Sequence, residues 1–481
     1  KTKSKSVPTV LLETEFEGGF DAIVGNPPYV RIQVLQESSP LSVNYLKSNF
    51  KSAAKGNYDI YVAFVERGLK LLNRTGRLGF ILPHKFFNAQ YGVPLRAMLG
   101  MGKNLSQVVH FGAEQVFAGA TTYTCLLFLE KKPQTNFDFK KVDNLNEWQK
   151  TGAAVVGEIS SLQTAAEWNF NVGKGSALFQ RLRETPFKFG DVADIFVGLQ
   201  TSADDVFIMD LVEEKPKHLR LKSKALGAEF VLERDLFFPL VSGTDVKGYA
   251  TLPERQFILF PYVVNDETAS LVSFTELSKR YPKTTGYLLK NRKRLEDREK
   301  GRFKDAEWYR FGRSQNLGIQ QREKICVPRL VDKLCSAYDA NGTHFLDNVD
   351  VGGVTFKPDY ATQTLPYLLA LLNSRLLRWY FPFVSAPFRG GWMSANRQFL
   401  SQLPFRPIDF SNSADKSRHA KMVSLVDQML AAKKQLAAAQ TDKDKDFYGH
   451  KCDSLDRQID ALVYDLYALT ADEIKIVEGA A

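Results

Sequence analysis

Hydrophobic and polar positions alternate along the first 130 residues in a strand, helix, strand rhythm. Phe20 to Gly25 is mostly apolar and stops at Asn26, Pro27 and Pro28. Two prolines cannot extend a hydrogen-bonded ladder, so a strand must end there in a loop. Ile60, Ala63, Phe64, Leu69, Leu71 and Leu72 fit the packed face of a helix over 57–72, with 73–76 as its stop. Residues 77–82 then read as a buried strand ending at Pro83, 86–99 as a second helix, and 107–111 and 122–129 as strands. This succession predicts an α/β layer fold with a largely parallel sheet.

The rhythm fades over 141–175, read as a linker or peripheral excursion, and turns over 176–410 to short β-type segments with few long helices, an α+β pattern. Leu365, Leu368, Leu369, Leu372, Leu376 and Trp379 form the exception, at the spacing of one helix over 364–380. In the tail, 411–481, two apolar stripes flank the polar residues 440–446 and predict an antiparallel helical hairpin. The expected units are therefore 1–140, 141–175, 176–410 and 411–481.

Composition narrows the function classes. The 481 residues allow about three domains. No apolar run approaches the roughly 18 residues that would cross a bilayer, and the basic start, Lys1 to Lys5, lacks the apolar stretch of a secretory signal. Four scattered cysteines point to a reducing cytosol, and six scattered histidines supply no metal-ligand spacing, so no metal is expected. A formal charge of +10 favours an anionic partner, nucleic acid first.

The chemistry concentrates in Asn26-Pro27-Pro28-Tyr29. An exocyclic amino group on a base is a poor nucleophile because its lone pair is delocalised into the ring. Two acceptors aimed at its N–H groups favour a tetrahedral nitrogen and free that pair; the Asn26 carboxamide oxygen and the Pro27 carbonyl can be those acceptors. Tyr29 offers a ring on which an extruded base can stack. A cytosine amino group or a glutamine side-chain nitrogen poses the same problem, which leaves open the base and even the class of substrate.

With this loop in place the chain resembles the γ-type DNA adenine-N6 amino-methyltransferases, the TaqI-like and type IIG restriction-modification methylases. The resemblance extends through 57–64 and 76–87, through 116–123, through recognition-domain segments at 190–200, 239–245, 371–374 and 403–404, and to the closing helix at 460–474. It implies transfer of a methyl group from S-adenosylmethionine to the N6 amino group of an adenine flipped out of double-stranded DNA, with part of a Rossmann-like sheet carrying the loop. It also implies that Phe117 stacks on the opposite face of that adenine from Tyr29, and that Asp59 and Tyr61 lie near the cofactor. Only 25 residues precede Asn26, so the glycine-rich cofactor turn is expected upstream of Lys1, and this chain alone is expected to hold little cofactor. Any restriction nuclease is expected upstream too; Asp245 and Lys247, with Asp235, are a weak match to a nuclease site.

Two clusters are candidates for DNA contact. Residues 279–313 carry 13 Lys and Arg against 5 Asp and Glu, interleaved with aromatics, and include Lys290, Arg292, Lys293, Arg294, Arg302 and Arg313. Arg375, Arg378, Arg389 and Arg397, with Trp392, form the second. His84 and Lys85, following a strand, are weaker candidates for phosphate. The rival to an enzyme is a DNA-recognition module without catalysis.

Overall fold

A computed structural model describes residues 18–479 apart from 55, 113, 118–121, 143, 161–167, 169, 171–174, 349, 387 and 389–390. The chain divides into two compact units, one of 1–180 with 386–391 and one of 181–385 with 392–481.

In the first unit β1 (Phe20–Gly25), β2 (Leu72–Pro83), β3 (Leu105–His110), β4 (Thr124–Glu130), β5 (Asn136–Lys141) and β6 (Val155–Ser160) form one sheet in the order β1-β2-β4-β3-β5-β6. The α/β class holds, but the sheet is mixed rather than largely parallel. β1 and β2 are parallel, as are β3 and β5, whereas β4 runs antiparallel to both β2 and β3 and β6 antiparallel to β5. Among the described residues no helix lies between β3 and β4, and a parallel pair needs a crossover of a dozen or more residues, usually helical. Residues 141–160, read as linker or excursion, hold α5 (Leu145–Thr151) and the sheet's edge strand β6.

Helices α1 (Ile32–Ser38), α2 (Pro40–Asn49), α3 (Tyr61–Leu71) and α4 (Val93–Gly102) complete the described layer. Tyr61, Val62, Val65 and Leu69 of α3 share a buried core with Leu78, Phe80 and Leu82 of β2. Gly68 permits that approach: a Cβ there would stand 2.4 Å from Leu78 Cδ1. α3 starts later than its apolar pattern suggested, because residues 58–60 pair with the loop after β1. It also ends directly in β2, and residues 73–76 bulge between the rungs Phe20–Leu72 and Ala22–Arg77. The helix expected over 86–99 is displaced to α4, because 84–87 and 90–92 form tight single turns ahead of Pro94.

The second unit contains a six-stranded sheet, in the spatial order 229–233, 218–223, 208–215, 256–259, 237–241 and 345–346, and a four-stranded antiparallel sheet, 337–339, 324–328, 351–356 and 193–197. The single helix expected over 364–380 is two, Leu365–Asn373 and Arg375–Val384. Ser374 breaks it with extended backbone, and its hydroxyl accepts from Leu377 N as the cap of the second helix. The buried Asn373 side chain bonds both the N–H and the carbonyl of Ser336, pinning the break to the neighbouring strand region. The tail forms the expected hairpin, Ser413–Ala438 and Asp442–Leu466, though 442–446 already belong to the second helix, capped by Thr441. Among the described residues no helix is long and apolar enough to cross a membrane.

Candidate active site and nucleic-acid interface

β1 ends at Gly25, and the loop that follows is held from several directions. Ile32 N donates to Tyr58 O at 2.9 Å and Ile60 N to Val30 O at 2.9 Å, with Arg31 and Asp59 bridged between them. The Tyr29 hydroxyl donates to the Ile81 carbonyl of β2 at 3.0 Å, and its ring stands edge-on to Tyr61. Burial pushes the Tyr29 phenol up to about 12, so it stays protonated at any working pH. Pro27 is buried, while Asn26 and Pro28 are exposed. Among the described residues nothing donates to the Asn26 carboxamide oxygen or to the Pro27 carbonyl. Two acceptors next to a fixed aromatic ring can orient an amino group and stack the base that bears it.

Behind the loop lies an aromatic shell. Tyr61 is sealed from solvent, and its hydroxyl shares a 2.9 Å hydrogen bond with Tyr91. It therefore packs beneath the loop and does not line an open pocket. Asp59 is half-buried, on the segment preceding α3, and no described residue donates to its carboxylate. Burial raises its pKa against the pull of Lys85 and Arg31. Asp59 is thus the better placed of the two for a polar ligand. Tyr91 and Arg96, which bonds the carbonyls of Phe86 and Ala89 at 2.6 and 2.8 Å, support the same region and carried no sequence motif. Phe117 is half-buried in the β3–β4 connection, next to residues outside the description.

His84 does not face phosphate. Its ring lies 4.2 Å from that of His110, its Nε2 is 3.3 Å from Gly112 O, and burial holds it down at about 4, hence neutral. Lys85 is exposed. Asp245 caps a turn by accepting from Ser242 N at 2.9 Å and pairs with Arg255, so its carboxylate is committed to structure.

The basic band of 279–313 differs from its sequence reading. Tyr281, Tyr287, Phe303, Trp308, Tyr309 and Phe311 are buried, most of them in the main core of the second unit, and cannot stack on bases. The exposed cations are mostly neutralised: Arg292 pairs with Glu296 at 2.7 Å and lies over Trp308, Arg294 pairs with Asp205, and Arg302 and Arg313 share Glu299. Lys290 lies over Phe230, while Lys293 is exposed without an ion pair among the described residues. In the second cluster Arg375 pairs with Asp460 at 3.2 Å and Arg378 donates to Leu334 O at 3.0 Å. Arg397 is exposed and Trp392 is 46% exposed; Arg389 lies outside the described residues.

Two family profiles match the chain in order. Residues 2–117 match the Eco57I restriction-modification methylase and 238–405 the TaqI-like C-terminal specificity domain. Over these two segments the chain is similar to restriction-modification methylases and their specificity domains. The methylase profile contains the loop after β1, and the specificity profile covers three of the six strands of the larger sheet of the second unit and three of the four strands of the smaller one. Among curated relatives, the type II restriction enzyme and methyltransferase RM.Eco57I of Escherichia coli is 28% identical over 94% of this chain, and this chain spans 46% of that protein's length. The type II methyltransferase M.XhoI of Xanthomonas vasicola is 25% identical over 80% of the chain and 68% of its own length. Among solved structures, the type IIL restriction-modification enzyme MmeI in complex with DNA shares the fold, with a TM-score of 0.57 and 12% identity over 95% of this chain and 56% of that one.

Proposed function

We propose that this chain is the catalytic-loop and target-recognition portion of a site-specific DNA methyltransferase that modifies the N6 amino group of a flipped adenine within a restriction-modification system. The observation that carries the reading is the loop itself: the exposed Asn26 carboxamide and the Pro27 carbonyl have no donor among the described residues, beside a tyrosine ring whose hydroxyl is fixed by Ile81. Asn26 and Pro27 accept from the two amino N–H groups, and Pro28 holds the direction of the loop. Tyr29 and Phe117 enclose the base. S-adenosylmethionine supplies the methyl group when bound; of the residues described here, Asp59 fits a role in holding it and Tyr61 does not. The partner is double-stranded DNA. The relative from Escherichia coli carries both a restriction enzyme and a methyltransferase in its name, which supports a nuclease as a further partner.

The test is transfer of labelled methyl from S-adenosylmethionine to duplex DNA by the natural full-length protein, followed by mass analysis of the released nucleosides. The expected product is N6-methyladenine. Asn26→Ala should slow transfer on the order of 100- to 1000-fold, the usual effect of removing one preorganised hydrogen-bonding group, while DNA binding persists. Wild-type turnover by that variant refutes the role of Asn26. Methylated cytosine would reassign the base, and sequence-specific binding without any transfer would leave a recognition module.

A further inference from the structure

The specificity region carries its cations in two states. Those of the 279–313 band are mostly paired with carboxylates or laid over buried rings. Arg329, Lys333 and Arg397 make no ion pair among the described residues. All three sit on or beside one small antiparallel ribbon, Leu330–Val331 against Met393–Ser394, registered Leu330 to Ser394 and Val331 to Met393. A bond from Ala395 N to Arg329 O at 2.8 Å adds a rung at one end.

The ribbon is firmly rooted. Val331 and Ser394 are buried, Arg329 N donates to Asp350 O at 2.7 Å, and Ser385 Oγ donates to Ser394 O at 2.8 Å. It presents both apolar and charged groups outward: Leu330 is 48% and Trp392 46% exposed, and Asp332 and Lys333 follow directly at its other end, both exposed. An apolar side chain, an aromatic ring, a carboxylate that accepts from Lys333 N through one oxygen, and cations without ion pairs among the described residues stand together here. They suit the edges of bases. A two-stranded ribbon fits the width of the major groove, where a thymine methyl takes an apolar contact, a cytosine amino group needs an acceptor and a guanine takes a cation.

We propose that this ribbon is the base-reading element of the specificity region, with Leu330, Asp332 and Lys333 at base edges and Arg329 and Arg397 on the flanking phosphates. The inference rests on the DNA-modifying function proposed above and goes beyond it in naming the reader, which excludes the larger basic band from that role.

The test expresses the natural full-length protein in cells lacking other methylases and maps modified bases across the genome by long-read sequencing. Leu330→Ser, Asp332→Ala and Lys333→Ala should each relax or alter the methylated motif at one or two positions, with a loss of discrimination on the order of 5- to 150-fold. Arg292→Ala and Arg302→Ala should leave the motif intact. Ribbon variants that methylate the unaltered motif overturn the proposal. An independent arm places benzoylphenylalanine at 330 and irradiates the protein on duplex DNA: cross-links to bases support the ribbon, and cross-links to protein alone, or none, overturn it. This arm also decides the case of a variant that methylates nothing. Should the wild type cross-link through 330 yet methylate no motif, the ribbon stands and the catalytic reading fails.

Discussion

The Tyr29 hydroxyl donates to the Ile81 carbonyl at 3.0 Å, so the loop leaving β1 is tied to β2 by a side chain where the ladder has already ended. The bond fixes the plane of the ring, and the ring is what a base would meet. Tyr29→Phe removes the bond, worth about 1 kcal/mol, and keeps the ring. Tyr29→Ala removes both, and base stacking on an aromatic contributes about 1–3 kcal/mol more. Single-turnover methyl transfer should therefore fall roughly 5-fold in the first variant and roughly 30- to 1000-fold in the second. Equal losses would take the ring out of the mechanism.

Arg298 is the one arginine of the basic band whose plane is fully enclosed by its own chain. It is 7% exposed, donates to the carbonyls of Leu295, Thr201, Trp308 and Arg310 at 2.7–2.9 Å, and lies 4.1 Å from the centre of the Phe303 ring. Removing it strands several buried acceptors, so Arg298→Ala should lower unfolding free energy by about 3–5 kcal/mol. Arg298→Lys should recover only part, because an ammonium cannot span carbonyls arranged around a plane. Arg292→Ala, which breaks an exposed pair, should cost less than about 1 kcal/mol. Denaturant titration of the three variants checks the order.

That contrast also shows what the sequence could and could not disclose. The strand ending at Asn26 was legible because two prolines admit no other reading, and the hairpin was legible because its stripes run for several turns. The start of α3 was not: Tyr58 and Ile60 fit helical spacing, but their backbone groups bond Ile32 and Val30. Ser374 could have announced the break between the two leucine-rich helices, being a good cap residue, yet continuous apolar spacing on both sides hid it. The aromatics of 279–313 misled for a different reason. Composition reports that rings and cations alternate, and only packing decides that the rings turn inward and the arginines meet Glu296, Glu299 and Asp205. Arg329, Leu330 and Lys333 stood outside any basic run and so gave no signal, although Arg329 and Lys333 make no ion pair among the described residues.

Asp460 should make the tail less stable at neutral pH than in mild acid. Burial, reinforced by Asp456, raises its pKa to about 6 despite the bond from Arg375 N at 2.8 Å and the charges of Arg375 and Arg378. An unfolded aspartate titrates near 3.9, so between about pH 4 and 6 the native chain holds more proton than the unfolded one. Stability from this group is therefore present at low pH and lost as pH rises through 6. Asp460→Asn keeps an acceptor for Arg375 N and removes the titration. Its stability relative to wild type should rise by on the order of 2 kcal/mol between pH 4.5 and 7, read from denaturant midpoints. A difference that stays flat across that window would mean the carboxylate ionises as freely folded as unfolded.

Asp339 presents the opposite sign. Lys324 is fully buried and its Nζ lies 2.6 Å from Asp339 Oδ2, while the carboxylate also accepts from His344 N at 3.0 Å and Thr343 N at 3.1 Å. Burial would raise the acid, but the bonds from His344 and the charge and bond of Lys324 outweigh it and hold Asp339 at about 2. Its contribution is thus present above about pH 4 and lost as pH falls toward 2. Asp339→Asn strands a buried ammonium and should cost about 3–5 kcal/mol at pH 7, a gap that narrows below pH 4. The double change Lys324→Met with Asp339→Leu removes both charges and should come within about 1–2 kcal/mol of wild type, since buried ion pairs are often matched by apolar residues of similar volume. If the single variant unfolds no more easily than the double one at pH 7, the pair is not what holds the turn at 339–344 against the strand Lys324–Pro328.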